Sequence, residues 1–317
     1  MTNDMETLIS VKPYKIWDLS KHSIISPSDI LYFNDLYIII DQFNHRLVWL
    51  NKDGEFIRST KQPEVSTVDL VYPTSFCCDD NESLWITDRW NHCVKKLSPD
   101  GRLIGSIGAY GDKPGEFSEP WGIDYKNNTL IVSDRNNHRI QFFDTSGNFL
   151  TAFGVPGPDK EYYEGADFKN GFIYEHWKNI ANKFVTFESL FFQHECSIGS
   201  FEYPQKLSVS ESGTIAVVDC GNDRIQLFSH NGTPIGSVTT SLFPDMNDFF
   251  SDVFFLSDDT LLIAQELHNT VYAVRNNSVY KSFSIENGRL NLIARGKNNE
   301  ILMLDSWNSQ VAFFKWD

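Results

Sequence analysis

No apolar run in the chain approaches the roughly eighteen residues that a membrane-spanning helix requires, and the N-terminus, MTNDMETLIS, has no basic region leading into an apolar one. These absences predict a soluble, unexported, cytoplasmic protein without a spanning helix. Cysteine is scarce as well. The five residues Cys77, Cys78, Cys93, Cys196 and Cys220 are odd in number and contain no C-x-x-C pair, which excludes a disulfide framework and a zinc ribbon and predicts free thiols. Positive charge is in deficit: 27 Lys and Arg stand against 42 Asp and Glu, for a net charge of −15. Such an acidic chain lacks the clustered cations that neutralise a phosphate backbone, so neither nucleic acid nor a membrane surface is an expected partner. It also has no G-x-S-x-G elbow and no glycine-rich phosphate loop.

What is present is repetition. The stretch Pro120 to Gly154 reads as four short strands, Trp121–Tyr125, Thr129–Asp134, His138–Asp144 and Asn148–Phe153, separated by Asn-Asn, Asn-Asn-His and Ser-Gly turns. A single meander of this kind cannot bury both faces of its sheet, so it needs copies on either side. Copies occupy 27–59, 73–108, 204–238, 251–283 and 290–316. The acid closing each second strand, Asp41, Asp88, Asp134, Asp219, then Gln265 in its place, then Asp305, sets intervals of 47, 46, 85, 46 and 40 residues. The double interval predicts a hidden unit over 170–201, with Glu175 in the acid position. The result is seven four-stranded antiparallel sheets in an all-β propeller, with six as the alternative if that segment is an insertion. Residues 11–18 precede the first unit without a partner and are expected to become the outer strand of the last sheet, closing the ring. Residues 1–10 form an extension, and 11–317 a single domain.

The recurring D-x-x-N-H-R-[IL] of Asp41–Leu47, Asp88–Val94 and Asp134–Ile140 resembles the NHL repeat. So does the connector with Ile107-Gly108, Gly111, Gly115-Glu116-Phe117 and Pro120. The resemblance is strong over 27–154 and 204–238, weak over 251–316 and nearly lost over 160–200. NHL propellers commonly have six blades, and some bind single-stranded RNA on a basic face, a charge excess this chain does not show. In the motif itself, Asn44-His45, Asn91-His92 and Asn137-His138 suit a tight turn and inter-blade packing rather than chemistry. Arg46, Arg139 and Arg224 are expected to stack on or pair with adjacent blades.

Irregular positions in a regular repeat are where a site is expected. One ring lies one place before the first core residue of each first strand: Asp29, Ser75, Gly122, Lys206, Asp252 and Asn291. Simple alternation turns these side chains toward the axial channel, either as a self-neutralising mouth with an Asp–Lys pair or as a ligand site. The second ring follows the strand-two acid, with Arg89, Arg135, His176 and Glu266 one place on and Phe43, Trp90, Trp177 and Trp307 two places on. Aromatics in turn positions either fold onto the neighbouring blade or form a binding face.

Two readings of function follow. In the first, the propeller is a binding module that grips a protein segment or small ligand at the channel-mouth loop face. Its ligand-binding residues are Asp29, Arg89, Trp90, Arg135, His176, Trp177, Lys206, Asp252, Glu266 and Trp307, and it needs no cofactor. In the second, it is an enzyme at the same mouth, of metal-dependent lyase or hydrolase type and with a possible place in a biosynthetic pathway. That reading is implied by the resemblance, because similar propellers include amidating, streptogramin and lactone-cleaving enzymes. The oxygens of Asp29, Asp252, Glu175 and Glu266 would suit a hard cation such as Ca²⁺ or Mg²⁺.

Overall fold

A computed structural model of the chain describes residues 9–61, 68–154, 198–243, 249–265, 270–286 and 288–316. Two short strands come first, β1 (Ile9–Val11) and β2 (Lys15–Asp18). Blade one is β3 (Pro27–Phe33), β4 (Leu36–Asp41), β5 (Arg46–Leu50) and β6 (Phe56–Ser59). Blade two is β7 (Pro73–Cys78), β8 (Leu84–Asp88), β9 (Cys93–Leu97) and β10 (Leu103–Ile107). Blade three is β11 (Pro120–Lys126), β12 (Thr129–Asp134), β13 (Arg139–Asp144) and β14 (Phe149–Phe153). Blade four is β15 (Pro204–Val209), β16 (Ile215–Asp219), β17 (Arg224–Phe228) and β18 (Pro234–Thr239). Blade five is β19 (Phe250–Ser257), β20 (Thr260–Gln265), β21 (Thr270–Arg275) and β22 (Ser278–Ser284), with β1 added parallel to β22. Blade six is β23 (Leu292–Arg295), β24 (Glu300–Asp305) and β25 (Gln310–Lys315), with β2 antiparallel to β25.

Each second strand is apolar almost end to end, as in LWITD of β8 and IAVVD of β16, and every residue of both strands is buried. Continuous rather than alternating apolar runs are what a strand needs when both its faces are covered. Outer strands such as β10 and β14 are largely exposed, since they lie at the circumference. The buried residues fall into one cluster per seam between neighbouring blades. Trp17 of β2 fills the seam between blades six and one, edge-on to Phe313 at 4.5 Å and to Tyr37 at 4.9 Å. Gly54 stands against this indole at φ +80°, where a Cβ would lie 2.8 Å from the ring.

The ring has six blades, not the seven counted from spacing. Blade three packs directly on blade four. Ile131 and Phe142 share a cluster with Leu207 and Phe228, and Val209 donates its N–H to Asp124 Oδ2 at 2.7 Å. A Cβ on Gly122 would come within 2.5 Å of the Gln205 carbonyl, so no sheet fits between them. The double interval was therefore an insertion between adjacent blades, and its residues 170–197 lie outside the described ones.

Trp17→Ala empties a seam that two blades share, so its expected cost is about 3–5 kcal/mol in urea unfolding. A loss below about 1 kcal/mol would show that β2 is peripheral to the ring's stability.

Candidate functional site

The recurring acid at the end of the second strand anchors a clasp. Asp41, Asp88, Asp134 and Asp219 are buried. The Oδ1 of each accepts the backbone N–H two residues before the Pro that opens the same blade, from Ile25 at 2.8 Å and from Val71, Ser118 and Glu202 at 2.7 Å. Oδ2 accepts the side-chain amide of Asn44, Asn91 and Asn137 at 2.8 Å and of Asn222 at 2.9 Å. A cation completes the set: Arg46 at 2.7 Å, Lys95 at 2.6 Å, Arg139 at 2.8 Å and Arg224 at 2.9 Å. These arginines thus pair within their own blade rather than with an adjacent one, because register sets Arg46, Arg139 and Arg224 opposite Asp41, Asp134 and Asp219.

Three residues of the same turns reach forward. His45, His92 and His138 sit in the left-handed region at φ 54°, 52° and 55°. Their Nδ1 atoms accept the N–H of Tyr72 at 2.9 Å, Glu119 at 3.1 Å and Tyr203 at 3.3 Å, each the residue just before the Pro of the next blade. Those three residues are themselves left-handed, at φ 59°, 56° and 52°. Such a conformation is costly for a side-chain-bearing residue next to proline and persists only where neighbours hold it. Burial lowers the pKa of His45 and His92, which favours the neutral ring that acceptance requires.

At the axis, Lys206 of blade four reaches the opposite blade. Its Nζ lies 2.6 Å from Asp29 Oδ2 and 3.2 Å from Ser75 Oγ, and Ser75 Oγ donates to the same Asp29 oxygen at 2.7 Å. Asp252 is buried, with Oδ1 accepting the Val253 N–H and Oδ2 the Ile293 N–H of the next blade, both at 2.8 Å. Burial pushes Asp252 up to about 7, with Lys206 pulling against it and Asp29 adding to it. Asn291 donates to Ser306 Oγ at 2.6 Å. Register shifts mark the entry to β3, β7, β11, β15 and β19; Asp29, Ser75 and Lys206 nevertheless meet at the axis, while Asp252 bonds the amide of the next blade's first strand.

The loop face carries the aromatics. Trp90 stacks on Tyr72 at 4.5 Å with an interplanar angle of 13°, and Phe43 meets the other edge of Tyr72 at 5.5 Å. Arg89 donates through Nε at 2.8 Å and Nη2 at 2.6 Å to Glu119 Oε2, and Arg135 Nη1 lies 3.7 Å from the same oxygen. The Trp121 ring lies within reach of both guanidiniums, 4.5 Å from Arg89 and 5.3 Å from Arg135, and Tyr203 stands 4.8 Å from Arg135. Burial works to raise the Glu119 pKa, but the two arginines outweigh it and hold the carboxyl below its usual range. Trp307, 64 % exposed, stands under the Arg289 guanidinium at 4.8 Å.

The residues singled out in the sequence therefore fall into three groups. Asp29 and Lys206 are paired on the axis near Asp252. Arg89 and Arg135 share Glu119, with Trp90 joined to them through Tyr72, and Trp307 stands on blade six. His176, Trp177 and Glu266 lie outside the described residues. Among the described residues no group of three or more His, Cys, Asp or Glu side chains is placed to hold a metal ion. The Cys77, Cys78 and Cys93 thiols are raised by burial, Cys78 to about 12, and are unreactive by that measure. No described helix is long and apolar enough to cross a membrane.

Residues 117–143 match the model of the NHL repeat. The chain is 32% identical to Protein brain tumor of Drosophila melanogaster over 138 residues, which is 40% of this chain and 13% of that protein. It is 33% identical to NHL repeat-containing protein 2 of Gallus gallus over 103 residues, 29% of this chain and 14% of that one. Over that matched stretch the chain carries an NHL repeat. Among solved structures, the propeller is similar to a streptogramin B lyase, with a TM-score of 0.58 and 15% identity over 92% of this chain and 83% of that one. It is also similar to a catalytically inactive virginiamycin B lyase from Staphylococcus aureus with quinupristin, with a TM-score of 0.57 and 14% identity over 95% and 87%. At these identities the likeness is one of fold.

Reading the NHL motif one turn at a time missed Tyr72, Glu119, Trp121 and Tyr203. The available signal was the place just before and after the Pro that opens each of blades one to four, where the residues vary while the Pro does not.

Asp252 sets a pH test. Its pKa of about 7 in the fold, against about 3.9 in an unfolded chain, means that the folded state holds more protons between those values. Its contribution to stability is therefore complete below about pH 4 and is lost as pH rises through 7. Urea melts from pH 5 to 8 should show the native protein losing stability relative to Asp252→Asn. Parallel pH profiles for the two proteins would contradict the assignment.

Proposed function

We propose that this NHL propeller is a binding module and that its ligand, a protein segment or small molecule, seats on the loop face around Trp90, Trp307, Arg89 and Arg135. The observation carrying this reading is that Trp307 and Phe43 stay 64 % and 48 % exposed on turns where a polar residue would serve. Exposed aromatics beside arginine are the composition of interface hot spots, and they are costly to leave uncovered. The axial residues favour the rim as the site, because Asp29, Lys206, Ser75 and Asp252 already satisfy one another and nearby backbone groups. An enzymatic role at the axial mouth has the lyase-like fold as its support and no ligand set among the described residues. The same reading takes the pairing of β2 with β25 as the closure that makes the rim a rigid platform.

Trp307→Ala and Trp90→Ala should each abolish retention of a ligand from native extract that the unaltered protein and the circumferential variant Ile235→Ser both retain. Their thermal midpoints should stay within a few degrees of the parent. Equal retention by all four proteins would remove the loop face from consideration.

A further inference from the structure

Among the described residues, the two arginines of the loop face share a single carboxylate. Arg89 makes both of its bonds to a single oxygen of Glu119, and Arg135 has only the far side of that same oxygen at 3.7 Å. Two guanidiniums on one carboxylate leave one positive charge uncompensated, on a molecule whose net charge is −15. An arginine offers five N–H donors. Arg135 donates Nη1 to Asn136 Oδ1 at 2.9 Å, while its buried Nε has no hydrogen-bond partner. Burial and the neighbouring Arg89 charge both lower the Arg135 pKa, so the group sits where an added anion would relieve it. Trp121, Tyr72 and Tyr203 place aromatic rings beside the pair, and excluding water there would strengthen each charge-assisted bond.

We infer that the loop face binds an extended peptide segment through an acidic side chain seated between Arg89 and Arg135, with a neighbouring aromatic residue of that segment lying on the Trp90–Tyr72 stack. The inference rests on the loop-face reading above and adds the chemistry of its ligand. Residues two apart in an extended chain point the same way and lie about 6.5–7 Å apart. The Arg89 guanidinium lies 5.5 Å from the Tyr72 ring on which Trp90 stacks, within the span of two such alternate positions. The overall acidity of the protein does not forbid this, because charges beyond about 8 Å are screened at physiological salt.

The test is calorimetric titration of the intact protein with the capped peptide Gly-Gly-Glu-Gly-Phe-Gly-Gly and its Glu→Gln and Phe→Ala counterparts. The Glu peptide should bind saturably, at least about tenfold more tightly than the Gln peptide. Arg135→Gln should erase that difference, whereas Glu119→Gln, which adds to the uncompensated charge, should enlarge it. Opposite shifts from two substitutions at one cluster cannot come from misfolding. Equal affinity for the Glu and Gln peptides, with both lost in Trp90→Ala, would overturn the acidic-side-chain inference while leaving the loop-face reading in place. No saturable binding by any peptide at millimolar concentration would overturn it as well, as would Arg135-dependent capture of a single-stranded oligonucleotide in place of the peptides.

Discussion

A buried carboxylate, repeated around the ring, is the constraint from which the rest follows. Taking Asp41, Asp88, Asp134 or Asp219 out of water is expensive unless every lone pair is met. Each is met by a backbone N–H from the connector, an Asn amide from the turn and a cation from the third strand. Burial nonetheless raises the pKa of Asp88 and Asp219, and carries Asp134 to about 6, so the donors balance the desolvation only in part.

The clasp decides where function can sit. The entries of blades two, three and four are each held by the blade's own Asp from one side and by the preceding blade's His from the other, leaving the residue between them left-handed. Its side chain then belongs to the loop face. Tyr72, Glu119 and Tyr203 arrive this way, and each becomes a partner of Trp90, Arg89 or Arg135. Structural turns thus build the rim without contributing their own histidines to it. The axis, bridged by Lys206 from blade four to Asp29 in blade one, is a strut rather than an open passage at that level.

Much of this was legible in the residues. The strand pattern, the turn chemistry of Asn44-His45 and its copies, and the structural role of the histidines follow from short-range rules that hold in any blade. Blade number was not legible from spacing, because a ruler of acids measures chain length and a long connection between blades three and four lengthens the chain without adding a blade between them. What forbids the extra blade is the backbone of Gln205 lying against Gly122, a contact across the seam that no periodicity reports. The partner of Asp252 was not legible either: past the register shift at Phe250 its carboxylate accepts the Ile293 amide of the next blade, close to Lys206 and Asp29. The arginines Arg46, Arg139 and Arg224 were expected to bridge blades and instead complete a clasp within one, which register alone decides.

The clasp itself is most directly tested by the protonation of its histidines. Long-range proton–nitrogen NMR of the folded protein should find His45, His92 and His138 as neutral rings carrying their proton on Nε2, with Nδ1 bare and accepting. His45 and His92 should stay neutral to a pH below the ordinary value of about 6.5. Rings protonated on Nδ1, or titrating as they do in an unfolded chain, would mean that Tyr72, Glu119 and Tyr203 are not held as described and that the loop face has lost its foundation.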